Sequence, residues 1–248
     1  MRTNPLFREG VRVYFMEGQA FPACFYVLIL LSIVELLTLF LPSLDSQMWK
    51  GPANLFKISS ITALVLVIYF ALRAANQEFV PWRFLPLRRW LRQEGLAVRD
   101  VVLGHLGILC VHVSVFALLC LPLLIWAGAI SRAAPLSILS AFSLLLFYSL
   151  SYGLWGLVAL ALWEHRIENR QVFIRALFIS LIFLSALVYL PLNPIAFLLH
   201  YLENREMAPL VLWGWPWRAT AIHFVFHIFI SGAALLLFRW AVKREAQF

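Results

Sequence analysis

Charged side chains are scarce in this chain, 13% of 248 residues, and acidic ones are scarcest, 12 against 20 basic. A water-soluble domain carries about a quarter, so the composition excludes one. Lysine occurs only as Lys50, Lys57 and Lys243, preceded by Trp49, Phe56 and Val242. A phosphate-binding loop needs glycine before its lysine, so this chain does not hydrolyse ATP through such a loop. The H-E-x-x-H and G-x-S-x-G patterns and the c-type haem attachment motif are missing too, which argues against a zinc protease, a serine hydrolase and a c-type cytochrome. The three cysteines, Cys24, Cys110 and Cys120, sit inside apolar runs. A thiol there is a small packing residue and implies no disulfide.

Apolar length is what the chain has instead. Crossing a hydrocarbon core of about 30 Å takes roughly 20 apolar residues in a helix, and six runs qualify, about 20–42, 54–75, 100–130, 135–162, 171–192 and 217–241. They are continuously apolar over twice the length of a β-barrel strand and do not alternate. The expected fold is therefore all-α, a polytopic membrane protein with six transmembrane helices in a single domain over 1–248. The first run is too long for a signal-peptide core and lacks an A-x-A site after it, so it reads as a retained helix.

Basic residues set the expected orientation, because short positive loops stay in the cytoplasm. With the N-terminus inside, fifteen of the 20 fall on inner segments: Arg2, Arg8, Arg12, Arg73, Arg83, Arg88, Arg89, Arg92, Arg99, Arg166, Arg170, Arg175, Arg239, Lys243 and Arg244. Lys50, Lys57, Arg132, Arg205 and Arg218 remain outside. Both termini are then cytoplasmic. The net charge of +8 reads as membrane topology, with membrane lipids as partners and no nucleic acid.

Two segments are amphipathic. Over 4–18, Asn4 is a cap and Pro5 suits the first helical position; Leu6, Phe7, Val13 and Tyr14 fall on one side, Arg8, Glu9 and Arg12 on the other. Over 86–94, within "VPWRFLPLRRWLRQEGL", Pro86 starts a short helix and Gly95 ends it at a left-handed position. Leu87, Trp90 and Leu91 share one face and Arg88, Arg89, Arg92 and Gln93 the other. Such helices lie in the membrane interface. The arginine face suits either anionic lipid headgroups or an acidic cytosolic partner.

Polar groups within the spans are costly and often functional. Glu35, with Ser32 and Thr38 at i−3 and i+3, forms a stripe that either lines a substrate pathway or is neutral and hydrogen-bonded to another helix. Ser149, Gly153 and Gly156 read as a packing face. His105 and His112 lie on the third run, His223 and His227 at i, i+4 on the sixth. At 1.5 Å per residue His112 and His227, entering from opposite sides, both reach mid-membrane, as a bis-histidine haem in an electron-transfer subunit requires. Contacts between helices are the other reading. "WEHRIENR", 163–170, with Glu164 beside His165, reads as a solvated turn. The stretch 193–213 has apolar pieces too short to span, which suits short extracytoplasmic helices or an ordinary loop.

The order of these features resembles the membrane subunits of ABC-2-type exporters: "NPLFREG", then Glu78 after the second run, "LRQEGLAVRDVVLGHL" into the third, "LPLLIWAGAIS" at its end, and "NPIAFLLHYLENRE" before the sixth. It departs from the family's pattern around Glu78 and at His105, where lysine is common. The resemblance implies a permease that moves an amphipathic or lipid-like substrate across a bacterial cytoplasmic membrane, paired with a second permease, identical or related. It also implies a separate cytosolic ATPase that holds the ATP and magnesium and grips residues 4–18 and 86–94. Arg88, Arg89, Arg92, Trp90, Glu78, Arg8 and Glu9 would then be the coupling residues. A non-transporting structural partner is the remaining alternative.

Overall fold

The computed structural model describes residues 4–40, 51–78, 86–205, 207–212 and 215–247. Arg2, Lys50, Trp82, Arg83 and the last two positions of the first predicted run lie outside them. Among the described residues six helices are long and apolar enough to cross a membrane. They are α2 (Phe21–Phe40), α3 (Gly51–Ala75), α4 (Val98–Ile130), α5 (Pro135–Leu162), the continuous helical stretch Ile167–Val188, and α9 (Ala219–Gln247). The chain is a multi-pass membrane protein.

Most boundaries follow the hydropathy. The fifth is displaced, 167–188 against 171–192, for a steric reason. Pro191 has no N–H and its ring clashes with the carbonyl four residues back, so the helix stops at Val188 and Leu190–Leu192 make one 3-10 turn. The stretch itself is α6 (Ile167–Ile179), a π-helical turn at Ser180–Leu184, and α7 (Ser185–Val188). A π turn leaves carbonyls without their usual partners, and Asn193 supplies them. Its buried Nδ2 donates to Leu181 O at 3.3 Å and Ile182 O at 2.9 Å, while its Oδ1 accepts from Ile195 N and Ala196 N. One side chain thus closes one helix and caps the next, α8 (Pro194–Leu202). Beyond α8 the chain forms a hairpin of β1 (Leu210–Leu212) and β2 (Trp215–Trp217), Leu210 facing Trp217. The 193–213 stretch is therefore helical only in its first half. At the other end of the chain, α9 outruns its apolar segment because Lys243, Arg244 and Glu245 are good helix formers that end in water.

α5 is the central and most enclosed helix, packed on α3, α4 and α9, whereas Ile167–Val188 lies almost entirely at the periphery. Small residues make this possible. A Cβ on Gly156 would sit 2.6 Å from Leu72 O, so α3 and α5 touch backbone to backbone there, and Ser149 on the same helix is fully buried. The Ser149, Gly153 and Gly156 face is a packing face.

The amino-terminal helix α1 (Pro5–Val11) runs on as a π turn, Arg12–Met16. Its apolar face is spent on protein, with Leu6, Val13 and Tyr14 buried. Asn4 caps it as expected, Oδ1 accepting from Leu6 N at 3.0 Å, and its Nδ2 donates to Asp100 O at the start of α4. Gly104 opens the notch for Leu6, since a Cβ there would meet Leu6 Cδ2 at 2.6 Å.

Candidate functional site

Two sites lie at opposite ends of the bundle, about 33 Å apart along α5 from Leu139 to Ala161. At the first, one apolar cluster gathers Leu6 and Tyr14, Leu87 and Trp90 from the arginine segment, Val101 of α4, Leu157 of α5, and Phe238 and Val242 of α9. Leu6 and Val242 share it, so both chain ends lie on the same side. The arginine segment is helical from Leu87, with a π turn at Arg89–Gln93, and ends where Gly95 has φ +65. Leu87 and Trp90 point inward as the wheel predicts, into protein. Gly95 takes a conformation that side chains disfavour, turning the chain into α4.

The arginine face is partly neutralised from within. Arg88 Nε bonds Glu245 Oε2 at 3.0 Å. Arg89 lies 3.7 Å from Glu9 and 3.8 Å from Glu94, its guanidinium 5.3 Å from the Trp90 ring centre. Arg92 and Arg8 are exposed and make no ion pair among the described residues. Glu78 turns inward: its carboxylate accepts from Arg73 Nε at 2.7 Å and Asn76 Nδ2 at 3.2 Å, closing the end of α3.

Glu164 corrects a sequence expectation. The turn is exposed at His165 and Arg166 as expected, but Glu164 itself is only 4% exposed, and its Oε1 accepts from Leu87 N at 2.5 Å. The first amides of a helix have no internal partner and the helix start favours negative charge, so this carboxylate caps the arginine helix from the end of α5. Seventy-seven residues separate the two, and no local pattern announces the contact.

At the other end, a cavity of about 950 Å³ opens between the first half of α5, α8 and the start of α9. Leu139, Leu144, Phe197 and Phe224 form its apolar wall; His200, Arg205 and Arg218 form its polar rim. Tyr201, also on the lining, donates to Ser140 Oγ at 2.8 Å. Beside the rim, Glu203 bridges Lys57 at 2.9 Å and Arg205 at 3.2 Å. The Lys57 hydrogen bond holds the Glu203 carboxyl below its ordinary pKa, against the opposing effect of burial.

Glu35, Ser32 and Thr38 are not on this cavity. Glu35 is buried beside Ser59 of α3, Thr38 donates to Val34 O at 2.7 Å within its own helix, and Ser32 is half-buried. The structure thus puts Glu35 and Thr38 in a helix contact.

The histidines pair with tyrosines. His223 Nε2 meets Tyr148 Oη, and His227 Nε2 meets Tyr152 Oη at 2.7 Å. Their Nδ1 atoms face the carbonyls of Pro191 at 2.6 Å and His223 at 2.9 Å. A carbonyl only accepts, so each Nδ1 carries the proton and each tyrosine O–H donates to Nε2. Two i, i+4 pairs on facing helices thereby lock α5 to α9. Phe197, which lines the cavity, stacks on His223 at 3.9 Å and so stands between the cavity and this ladder. His112 instead packs on Tyr14, Phe15 and Phe116, so the structure does not bring His112 and His227 together as haem ligands. Tyr148, Tyr152, Asn193 and Glu164 escape sequence reasoning. The matched spacing of 148/152 and 223/227 is visible there, but not that α5 and α9 are neighbours.

The fold defines a multi-pass membrane protein, closed and packed at one end and hollow at the other. No family model, curated protein or solved structure matches the chain.

Proposed function

We propose that the chain is the membrane-spanning permease subunit of an ATP-driven exporter of the ABC-2 kind, seated in a bacterial cytoplasmic membrane. Its packed end faces the cytoplasm and a separate ATPase. The observation that carries this reading is the single apolar cluster joining α1, the arginine helix and the inner ends of α3, α4, α5 and α9. A push on the exposed arginine helix is delivered to four long helices at once, because close-packed interiors transmit displacement and do not absorb it. The Glu164 cap makes the same link to α5 by a charged hydrogen bond. Alternating access of the cavity, together with a second permease, completes the scheme.

A mild-detergent pull-down with identification of bound chains tests it. The expected result is recovery of a nucleotide-binding subunit, weakened by Arg92→Glu and lost when Arg88, Arg89 and Arg92 all become glutamate. Equal recovery with the triple variant would remove the docking role of this helix. Recovery of no ATPase in any condition would remove the transporter reading.

A further inference from the structure

The cavity at the hollow end is of ligand size, since pockets for small molecules run about 300–1,000 Å³ and this one is about 950 Å³. Its lining is divided. Leu139, Leu144, Phe197 and Phe224 make a wall with no charge, and two guanidinium groups, Arg205 and Arg218, stand at the rim with His200. Among the described residues positive charge there is in excess. Lys57 and Arg205 share the one carboxylate of Glu203, and Arg218 makes no ion pair among the described residues. A planar guanidinium presents paired donors that match the oxygens of phosphate or carboxylate. The start of α9, directly after Arg218, adds the positive end of a helix dipole pointing the same way.

The cavity also sits at the right depth. Arg218 stands where the apolar stretch of α9 begins, and Phe224 lies six residues further in, about 9 Å at 1.5 Å per residue. The exposed Trp215 and Trp217 of the neighbouring hairpin are residues that favour the headgroup level of a bilayer. A cation at headgroup level above an apolar wall is complementary to a molecule with an anion above a hydrocarbon chain. From this we infer that the cavity binds a phosphate-bearing amphiphile of the anionic phospholipid class. The headgroup lies on Arg205 and Arg218, and the chain lies along Leu144, Phe197 and Phe224. Describing that molecule as cargo rests on the exporter reading; its binding does not.

The test uses the full-length chain in neutral detergent with no ATPase, so its outcome is independent of the pull-down. Native mass spectrometry with added phosphatidylglycerol, phosphatidylcholine and inorganic phosphate reads the affinities. Phosphatidylglycerol is expected to bind about tenfold more tightly than phosphatidylcholine, the scale of one charge-assisted contact. Arg205→Glu with Arg218→Glu should erase that preference. Leu144→Trp, which fills the apolar wall, should weaken both lipids by about tenfold and leave the preference between them intact. Arg218→Gln, a milder change at an exposed position, covers the case in which the double reversal does not fold. Equal binding of the two lipids by the unaltered chain, or a preference untouched by the arginine variants, overturns the proposal. So does inorganic phosphate displacing phosphatidylglycerol at similar concentrations, which would mean a free-anion site that makes no use of the apolar wall.

Discussion

At one end of α5 and α9, Arg88 and Arg89 meet carboxylates supplied by distant parts of the same chain, Glu245 and Glu9. They do so over an apolar cluster whose void, beside Tyr14, His105 and His112, is about 10 Å³, no more than one water fills. At the other end, Arg205 and Arg218 border about 950 Å³, and Glu203 serves two of the three cations nearby. The same side-chain type does different work in the two places. Where the interior is full and the charges are paired, arginine fastens elements together. Where the interior is hollow and, among the described residues, positive charge is in excess, it is the group we propose meets a ligand. A change to the buried or internally paired groups of the packed end should therefore register as lost stability, and one to the cavity lining at the hollow end as lost ligand binding.

The sharpest way to break this contrast is at the backbone contact of α3 and α5. Gly156→Leu should cost about 3 kcal/mol, because the added side chain meets Leu72 O and backbone cannot step aside. Leu144→Trp at the cavity should cost less than about 1 kcal/mol. Thermal unfolding of both in detergent measures the pair, and equal losses would end the distinction between the two ends. Next is the tyrosine–histidine ladder. Tyr152→Phe leaves His227 Nε2 buried with no donor and should cost about 1–2 kcal/mol. Tyr152→Phe combined with His227→Phe should recover much of the loss, since removing both partners leaves nothing unsatisfied. No recovery would show that packing, not the hydrogen bond, holds α5 to α9.

Glu164→Gln, which keeps the shape of the cap and removes its charge, should cost about 1 kcal/mol. Hydrogen exchange at the Leu87 amide should quicken first, and unchanged exchange would mean that the cap does not hold the arginine helix. Arg88→Gln should cost less than about 0.5 kcal/mol and respond to salt, since the pair with Glu245 is partly exposed. The smallest effect concerns pH. The Glu203 carboxyl is held below its ordinary pKa chiefly by Lys57, so its contribution is present above about pH 4.3 and fades as pH falls below that. Lys57→Met should remove this acid-side loss, and an unchanged acid transition would assign it to other groups.

Much of the fold can be read directly. The run at 135–162 and the helix Pro135–Leu162 coincide, because apolar length in a membrane is a local property with few alternatives. Asn4 and Gly95 are legible too, since cap and left-handed positions are tied to residue type. Glu164 is not: beside His165 and Arg166 it looks like any charged turn, and only the arrival of Leu87 from another part of the chain turns it into a cap. For Glu35 the sequence leaves a pathway role and a helix contact both open, and only the packing of α3 against it supplies the contact.

What the sequence determined alone is therefore the number and approximate extent of the spans, the cap at Asn4, the stop at Gly95 and the inward faces of the short helices. These depend on hydropathy, periodicity and backbone preference within a few residues. Only the tertiary structure decided that α5 neighbours α9, which pairs Tyr148 and Tyr152 with His223 and His227. It also decided that Arg88 and Arg89 are paired within the chain and that a cavity opens where Arg205 shares Glu203 with Lys57 and Arg218 has no ion pair among the described residues. Pairing and emptiness are relations between helices distant in the chain, and each helix satisfies its own backbone without reference to its neighbours.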